Sequence, residues 1–140
     1  MKILVAVDGS AFTKRMLAYL AAHDEWLGPL HHYTVFTTVL AVPAYAAKMI
    51  DRELVKGYYA DEAEKVFKPI RAFMKAQRLE ASFVSKVGHP AELIAKLADS
   101  GQYDLLMMGS HGHGLVAGLV LGSVAGKVLA HCKVPMLLVR

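Results

Sequence analysis

A glycine-rich segment late in the chain contains the residue types best suited to bind a ligand. Gly109 and Gly112 follow a predicted strand, and after nine further residues Gly122-Ser123 opens a predicted helix. Glycine lets the backbone approach an anion closely, and the free N–H groups at a helix N-terminus favour negative charge. The Ser123 hydroxyl adds a further donor. The spacing therefore predicts a phosphate site, although glycines that only form a turn and a close helix–sheet contact would give the same pattern.

Two known phosphate-binding motifs match this segment poorly. A P-loop needs a hydroxyl residue after GxxxxGK, whereas the run at 122–128 is one residue short and lacks that hydroxyl. A dinucleotide fingerprint needs GxGxxG after the first strand and an acidic residue about 20 positions later. Here Gly112, Gly114 and Gly118 form GxGxxxG late in the chain, and no acidic residue follows Asp104. We therefore exclude the P-loop and disfavour the dinucleotide fingerprint.

Histidine and cysteine residues offer two further kinds of chemistry. His111 and His113 lie two positions apart with no third ligand near them in sequence, so we expect solvent-facing or phosphate-neighbouring roles rather than metal binding. Cys132 could act as a nucleophile only beside a placed base, and nothing beyond the adjacent His131 supports one. As the only cysteine, it excludes an intrachain disulfide, which suits a reducing compartment. We predict neither a protein-held metal site nor a catalytic residue.

The apolar pattern predicts a scaffold that alternates between strand and helix. Five β-rich runs lie at residues 2–7, 33–42, 81–87, 104–108 and 135–139, separated by helical patterns that begin near Ser10, Arg52, Pro90 and Ser123. Five strands and four helices in this order are typical of an α/β fold, a single Rossmann-like (doubly wound) sheet that is mainly parallel. Pro69 should kink or split the longest helix. In the last helix we expect Val124, Val128 and Leu129 to face inward.

The strand ends indicate where a ligand would bind. Doubly wound sheets bind ligands beyond the carboxyl ends of their strands, at the point where the strand order reverses. Two places on this chain have suitable residues at strand ends, namely Asp8 after the first strand and Gly109 after the fourth. Asp8 by itself would also fit a capping residue in a turn.

Length and composition favour one domain spanning residues 1–140. The 140 residues are 55% hydrophobic, enough for a core without disulfides or structural metal. The first residues, MKILVAVDGS, turn polar too soon for a secretion signal, and no uncharged apolar run is long enough for a membrane span. The net charge of +4 comes from scattered Lys and Arg, which disfavours a nucleic-acid partner. We expect a cytoplasmic protein with no membrane partner.

The spacing Gly-x2-Gly-x9-Gly-Ser, placed between a strand and a helix, resembles the nucleotide-binding branch of the universal stress protein family. The resemblance extends over the whole chain. It is carried by ILVAVDGS at 3–10, VGHPAELIAKLA at 87–98, DLLMMGSHG at 104–112 and LGSVAGKVLAHCKVPMLLVR at 121–140.

The resemblance implies an ATP-binding domain that forms a homodimer through its last strand, with Mg²⁺ or Mn²⁺ on the phosphates. The phosphates would lie against the backbone N–H groups and the Ser123 hydroxyl at the start of the last helix. Asp8 would lie beside the nucleoside. The ATP-binding residues it implies are Ala6, Val7, Asp8, Val39, Met108, Gly109, Gly112, Gly122, Ser123 and Val124. The second strand departs from the family's usual Leu-His-Val pattern at Val39.

Three functions remain open at this stage. The first is an ATP-binding regulatory or stress-response protein. The second is a slow ATPase or autophosphorylating enzyme that uses the same site, for which Asp8, His111 and His113 are the candidate residues. The third is an interaction module whose glycine loop is only structural. The apolar run VPMLLVR gives an independent reason for dimerisation, because an apolar strand at a sheet edge exposes backbone groups that a second copy can pair.

Overall fold

A five-stranded sheet forms the centre of the computed structural model, which describes residues 1–114 and 117–140. The strands are β1 Lys2–Ala6, β2 His32–Val39, β3 Ala81–Val87, β4 Leu105–Gly109 and β5 Met136–Val139, in the order β3-β2-β1-β4-β5. Every pairing is parallel. The predicted α/β, doubly wound sheet is therefore confirmed.

Six helices occur in the described residues, where the sequence pattern predicted four. They are α1 Ala11–Ala22, α2 Asp24–Leu27, α3 Ala44–Ala47, α4 Arg52–Ala76, α5 Pro90–Ser100 and α6 Ser123–His131. The two unpredicted helices, α2 and α3, have four residues each. One turn is too short to show a helical hydrophobic period, so the pattern could not indicate them. Residues 115 and 116, inside the predicted glycine-rich segment, lie outside the described residues.

The helices cover both faces of the sheet. On β1, Ile3 and Val5 belong to a core cluster with residues of α1 and α4, whereas Leu4 and Ala6 belong to a second cluster with residues of α5 and α6. Alternate strand residues point to opposite faces, so a strand covered on both sides reads as a continuous apolar run.

Two details of the sequence prediction are wrong, and one predicted alternative is excluded. Of the two effects predicted for Pro69, a kink or a split, the split does not occur, because helix α4 continues through this residue. Strand β2 ends at Val39 rather than at residue 42. Leu129 is 52% exposed, whereas its neighbour Val128 is fully buried. The buried stripe of a short helix is narrow, and a one-residue step rotates a side chain about 100° away from it.

None of the helices in 1–114 and 117–140 combines the length and the hydropathy that crossing a bilayer requires.

The sheet order reverses between β1 and β4. From β1 the chain continues to β2 and β3 on one side, and β4 leads to β5 on the other. The register places Ala6 beside Met108 at the carboxyl ends of these two strands. In doubly wound sheets this reversal opens a crevice, because the connecting helices leave on opposite faces.

Candidate functional site

A cavity of about 360 Å³ opens at this reversal. Its volume is within the range of small-ligand pockets. Nine of the ten residues that the resemblance implied line it, namely Ala6, Val7, Asp8, Met108, Gly109, Gly112, Gly122, Ser123 and Val124. The tenth, Val39, is not among the described lining residues, and the β2 side of the cavity is formed by Phe36, Thr37, Thr38 and Leu40.

Asp8 has one carboxylate oxygen held by the protein and one directed at the glycine segment. Oδ1 accepts hydrogen bonds from the Ser10 N–H at 2.9 Å and the Thr13 hydroxyl at 3.0 Å. Ser10 is the N-cap of α1, so the turn that follows β1 and the first turn of the helix fix the carboxylate. Oδ2 lies where a Cβ on Gly112 would approach it to 2.8 Å. Asp8 thus has a structural role through one oxygen and can bind a ligand through the other.

The other two motif glycines on this side of the cavity are required by close backbone contacts. A Cβ on Gly109 would lie 2.6 Å from the Cβ of Phe12, because α1 packs directly on the end of β4. A Cβ on Gly122 would lie 3.0 Å from the carbonyl oxygen of Ser110, to which the Gly122 N–H donates at 2.7 Å. This hydrogen bond joins the two ends of the glycine segment and places the start of α6 beside the end of β4.

The N-terminus of α6 faces the cavity with N–H groups that have no acceptor among the described residues. Its N-cap is Gly122, which has no side chain to cap the helix, and the first turn contains no acidic residue. The Gly126 N–H donates to the Gly122 carbonyl at 2.9 Å, which begins the helical hydrogen-bond pattern. The preceding N–H groups, on Ser123, Val124 and Ala125, have no intrahelical acceptor, and all three residues line the cavity. Donors of this kind, at the positive end of a helix dipole, suit a phosphate group.

The two histidines of the glycine segment bond to the protein in different ways. His111 Nε2 donates to the Leu119 carbonyl at 3.0 Å, its Nδ1 lies 2.9 Å from the Ser110 hydroxyl, and its ring packs against Phe12. His113 Nε2 donates to the Asp8 carbonyl at 2.7 Å. His111 therefore braces the segment internally, whereas His113 connects it to the turn after β1.

Other candidates for chemistry lack suitable surroundings. In the part of the chain that the structure describes, no three His, Cys, Asp or Glu side chains converge as metal ligands would. Burial raises the pKa of the Cys132 thiol, and the carboxylate of Asp99 raises it further. A thiol held protonated is a poor nucleophile.

Sequence reasoning missed the residues that enter the cavity from β2 and α5. Thr37 had a local signal, since it is a polar residue in a buried strand, and its hydroxyl donates to the Val7 carbonyl at 2.8 Å. Pro90 and Ile94 had none, because only the packing of α5 on the sheet brings them to the cavity.

The fold and the site together define a class of protein: a doubly wound α/β domain with a crevice of small-ligand size at its reversal point, faced by the N-terminus of α6. The chain matches the Universal stress protein family over residues 1–140, and it belongs to that family. A "Universal stress protein in QAH/OAS sulfhydrylase 3'region" from Thermus aquaticus is 36% identical over 142 residues, covering 99% of this chain and 97% of that protein.

Solved structures of similar proteins have the same fold. The structure of MJ0577, a universal stress protein of Methanocaldococcus jannaschii, superimposes with a TM-score of 0.80 at 24% identity, covering 99% of this chain and 94% of that one. A family protein from Arabidopsis thaliana, solved with AMP bound, gives 0.69 at 16% identity, covering 99% and 90%. One from Archaeoglobus fulgidus, in complex with dAMP, gives 0.66 at 20% identity, covering 100% and 98%.

Proposed function

We propose that this chain is a homodimeric, cytoplasmic, ATP-binding regulatory protein of the stress response. One observation carries the proposal: the uncapped N-terminus of α6 and the carboxylate of Asp8 line the same cavity at the sheet reversal. The relatives with bound AMP and dAMP support a nucleotide as the ligand. The edge position of β5 supports the dimer, because the last strand has an open side to pair.

We propose a neighbour in the cavity wall for each part of the nucleotide. The phosphates would accept hydrogen bonds from the N–H groups of Ser123 and Val124 and from the Ser123 hydroxyl. The ribose hydroxyls would donate to the free Oδ2 of Asp8. The base would lie toward Thr38 and Leu40, at the end of β2. The protein groups proposed to bind the phosphates are therefore more specific than those proposed to lie beside the base.

A divalent ion would be bound mainly by the phosphates themselves. Asp8 is the one carboxylate among the described lining residues, and its Oδ1 already accepts two hydrogen bonds. Mg²⁺ is commonly bound through one or two carboxylates together with substrate phosphates and water, so this site fits Mg²⁺ or Mn²⁺ arriving with ATP.

Binding is favoured over catalysis by the surroundings of the candidate bases. A phosphoryl transfer needs a group that accepts a proton from, or orients, the attacking nucleophile. Both ring nitrogens of His111 have protein partners, and Asp8 has one oxygen left. A slow ATPase or autophosphorylating activity stays the second candidate, and multiple turnover that disappears in Asp8→Ala or His111→Ala would favour it.

A substitution at Ser123 tests the phosphate site without disturbing the fold. Ser123→Asp places a carboxylate in the first turn of α6, where negative charge stabilises a helix, but it repels a phosphate. We expect ATP affinity to fall about a hundredfold in Ser123→Asp and about tenfold in Ser123→Ala, which removes only the hydroxyl. Isothermal titration calorimetry measures both, with circular dichroism as the check on folding.

Adenosine serves as the matched ligand, because it has no phosphate. Its affinity should be the same in both variants and in the unaltered chain. An ATP affinity unchanged by Ser123→Asp would contradict the phosphate site. Freshly purified protein, denatured and analysed by chromatography and mass spectrometry, should also release a nucleotide. A chain with no released nucleotide and no binding in the titration would favour the interaction module.

A further inference from the structure

The proposed phosphate site has no permanently charged basic side chain. Residues 109–126 contain neither Lys nor Arg, and neither type occurs among the described residues that line the main cavity. The nearest lysine along the chain, Lys127, lines an adjoining cavity of about 280 Å³ together with His89 and Glu92. The groups in the main cavity that can gain positive charge are His111 and His113. A nucleotide phosphate at this site would thus have its charge balanced through histidine, the metal ion it carries, or backbone N–H groups.

Of these two histidines, only His113 can offer a new donor on protonation. His111 uses Nε2 to donate to Leu119 and has Nδ1 against the Ser110 hydroxyl. His113 donates from Nε2 to the Asp8 carbonyl, and among the described residues its Nδ1 has no hydrogen-bond partner. A carbonyl oxygen can only accept, so the proton of neutral His113 lies on Nε2 and the lone pair on Nδ1.

Protonation changes what His113 presents to a phosphate. His113 lines the cavity, and a phosphate oxygen near its Nδ1 would be repelled by the lone pair of the neutral ring. In the protonated ring Nδ1 becomes a charged N–H donor, while the Nε2–H bond to Asp8 is kept. A phosphate dianion therefore binds more tightly to the protonated form. An unperturbed histidine side chain changes charge between about pH 5 and 8.

Charged and titratable groups near this site lie on the turn after β1, on α1 and around the adjoining cavity. The Asp8 carboxylate lies on the same turn as the carbonyl that His113 contacts, and one of its oxygens has no protein partner among the described residues. On α1, the Arg15 guanidinium lies 4.9 Å from the centre of the Phe12 ring, on which His111 packs. Beside α5 and α6, the titratable residues among the described lining of the adjoining cavity are His89, Glu92 and Lys127.

We propose that His113 is a specificity-determining residue that couples nucleotide phosphate binding to the uptake of one proton. This inference rests on the proposed function and deepens it, because it makes affinity for the phosphate, and not for the nucleoside, increase as the pH falls. His113 would also connect the glycine segment to the turn after β1 most firmly when a phosphate is bound, because a protonated ring is the stronger donor to the Asp8 carbonyl.

The test compares AMP and adenosine binding to the full chain from about pH 6 to about pH 8 by calorimetry, in buffers of different ionisation enthalpy. His113→Gln keeps an N–H donor for the Asp8 carbonyl but cannot gain a proton. The phosphate of AMP also titrates within this pH range. Dividing the AMP affinity of the unaltered chain by that of His113→Gln at each pH removes the contribution of the phosphate. We expect this affinity ratio to fall about tenfold as the pH rises from about 6 to about 8. One linked proton can change an affinity by at most tenfold per pH unit, so the expected change is within that limit.

Two further variants complete the test. His113→Arg supplies a permanent charge, so its AMP affinity should stay high at the upper pH and take up no proton on binding. His89→Gln, in the adjoining cavity, should keep the pH dependence of the unaltered chain. A ratio that does not change with pH, or an equal pH dependence for adenosine, would overturn the role of His113 while leaving nucleotide binding intact. Absence of AMP and ATP binding at every pH would overturn the proposed function and this inference together.

Discussion

At the scale of single residues, the most informative feature is that the two carboxylate oxygens of Asp8 have different roles. Oδ1 is fixed by Ser10 and Thr13, so the position of Oδ2 is set before any ligand arrives. A preorganised acceptor loses less entropy on binding than a mobile one. The turn-capping interpretation of Asp8 and the ligand-binding interpretation are therefore compatible, because each uses a different oxygen.

Gly112 and Gly114 give a matched pair of variants that tests this residue. A Cβ on Gly112 would come within 2.8 Å of Asp8 Oδ2, whereas a Cβ on Gly114 would meet no atom of the described residues within 4 Å. In Gly112→Ala the carboxylate must turn away from its two donors or cover the ligand side with a methyl group. We expect ATP affinity to fall about tenfold in Gly112→Ala, as for the loss of one hydrogen bond to a charged group, and to change less than about twofold in Gly114→Ala.

Titration of ATP into both alanine variants provides the measurement, and thermal denaturation the check on folding. Equal affinities in the two variants would mean that Asp8 Oδ2 takes no part in binding.

The residues of the site were predictable as far as a local motif encodes them. Glycine spacing and the strand–loop–helix context pointed to Gly109, Gly122 and their neighbours, all of which line the cavity. Val39 was the exception. Its neighbours Thr38 and Leu40 line the cavity instead, whereas Val39 packs against the core cluster that contains residues of α1 and α4. Successive strand side chains point to opposite faces, and which face of β2 meets the cavity depends on the packing of the whole sheet.

At the scale of elements, long periodic segments were predicted well and short or interrupted ones were not. The five strands and the four long helices occur where the sequence pattern placed them. Helices α2 and α3, of one turn each, depend on their surroundings rather than on an amphipathic period. Pro69 does not split α4, one of the two effects predicted for it, and the buried residues Phe67 and Ile70 on either side of it pack in the core.

Replacing Pro69 should therefore stabilise the protein. The side chain is exposed, so Pro69→Ala removes no core contact, and it restores an N–H that can donate to the carbonyl four residues earlier. Proline inside a helix costs about 3 kcal/mol, and its restriction of the unfolded chain offsets part of that cost. We expect a net gain of about 1 kcal/mol, or a Tm higher by about 3–5 °C.

Differential scanning calorimetry can follow this change. Lys68→Ala, at the adjacent exposed position, is the control and should change stability by less than about 0.5 kcal/mol. A lower Tm in Pro69→Ala would show that the backbone of α4 is bent around the proline and cannot accept the new hydrogen bond.

At the scale of the whole molecule, the sheet has two open edges, and the proposed homodimer uses one of them. On β5, the carbonyls of Pro135 and Val139 accept hydrogen bonds from Leu106 and Ser110. The N–H and C=O groups of one strand residue point to the same edge, and successive residues alternate. The backbone groups of Leu137 therefore face β4, whereas those of Met136 and Leu138 face outward.

This geometry predicts which amides a dimer protects. If two copies pair through β5, hydrogen exchange at Met136 and Leu138 should slow at least about tenfold as the protein concentration rises, because opening then requires dissociation. Leu137 should be protected at every concentration. On the opposite edge, Tyr33 donates to the Glu80 carbonyl, so the amides of Phe83 and Ser85 face outward as well and serve as the control.

Residue-resolved exchange by NMR, run beside sedimentation equilibrium, distinguishes the alternatives without any substitution in the core. Slowing at Met136 and Leu138 but not at Phe83 and Ser85 supports pairing through β5. A dimer in sedimentation with no change at β5 would place the interface elsewhere, and a monomer at all concentrations would contradict the proposed dimer.

The dimer interface also bears on the ligand, because β5 pairs with β4, whose last residue, Gly109, lines the main cavity. At a fixed protein concentration, adding ATP should slow hydrogen exchange at the same two amides further if ATP binding and dimerisation are coupled. Unchanged exchange on adding ATP would mean that ATP binding and dimerisation are independent.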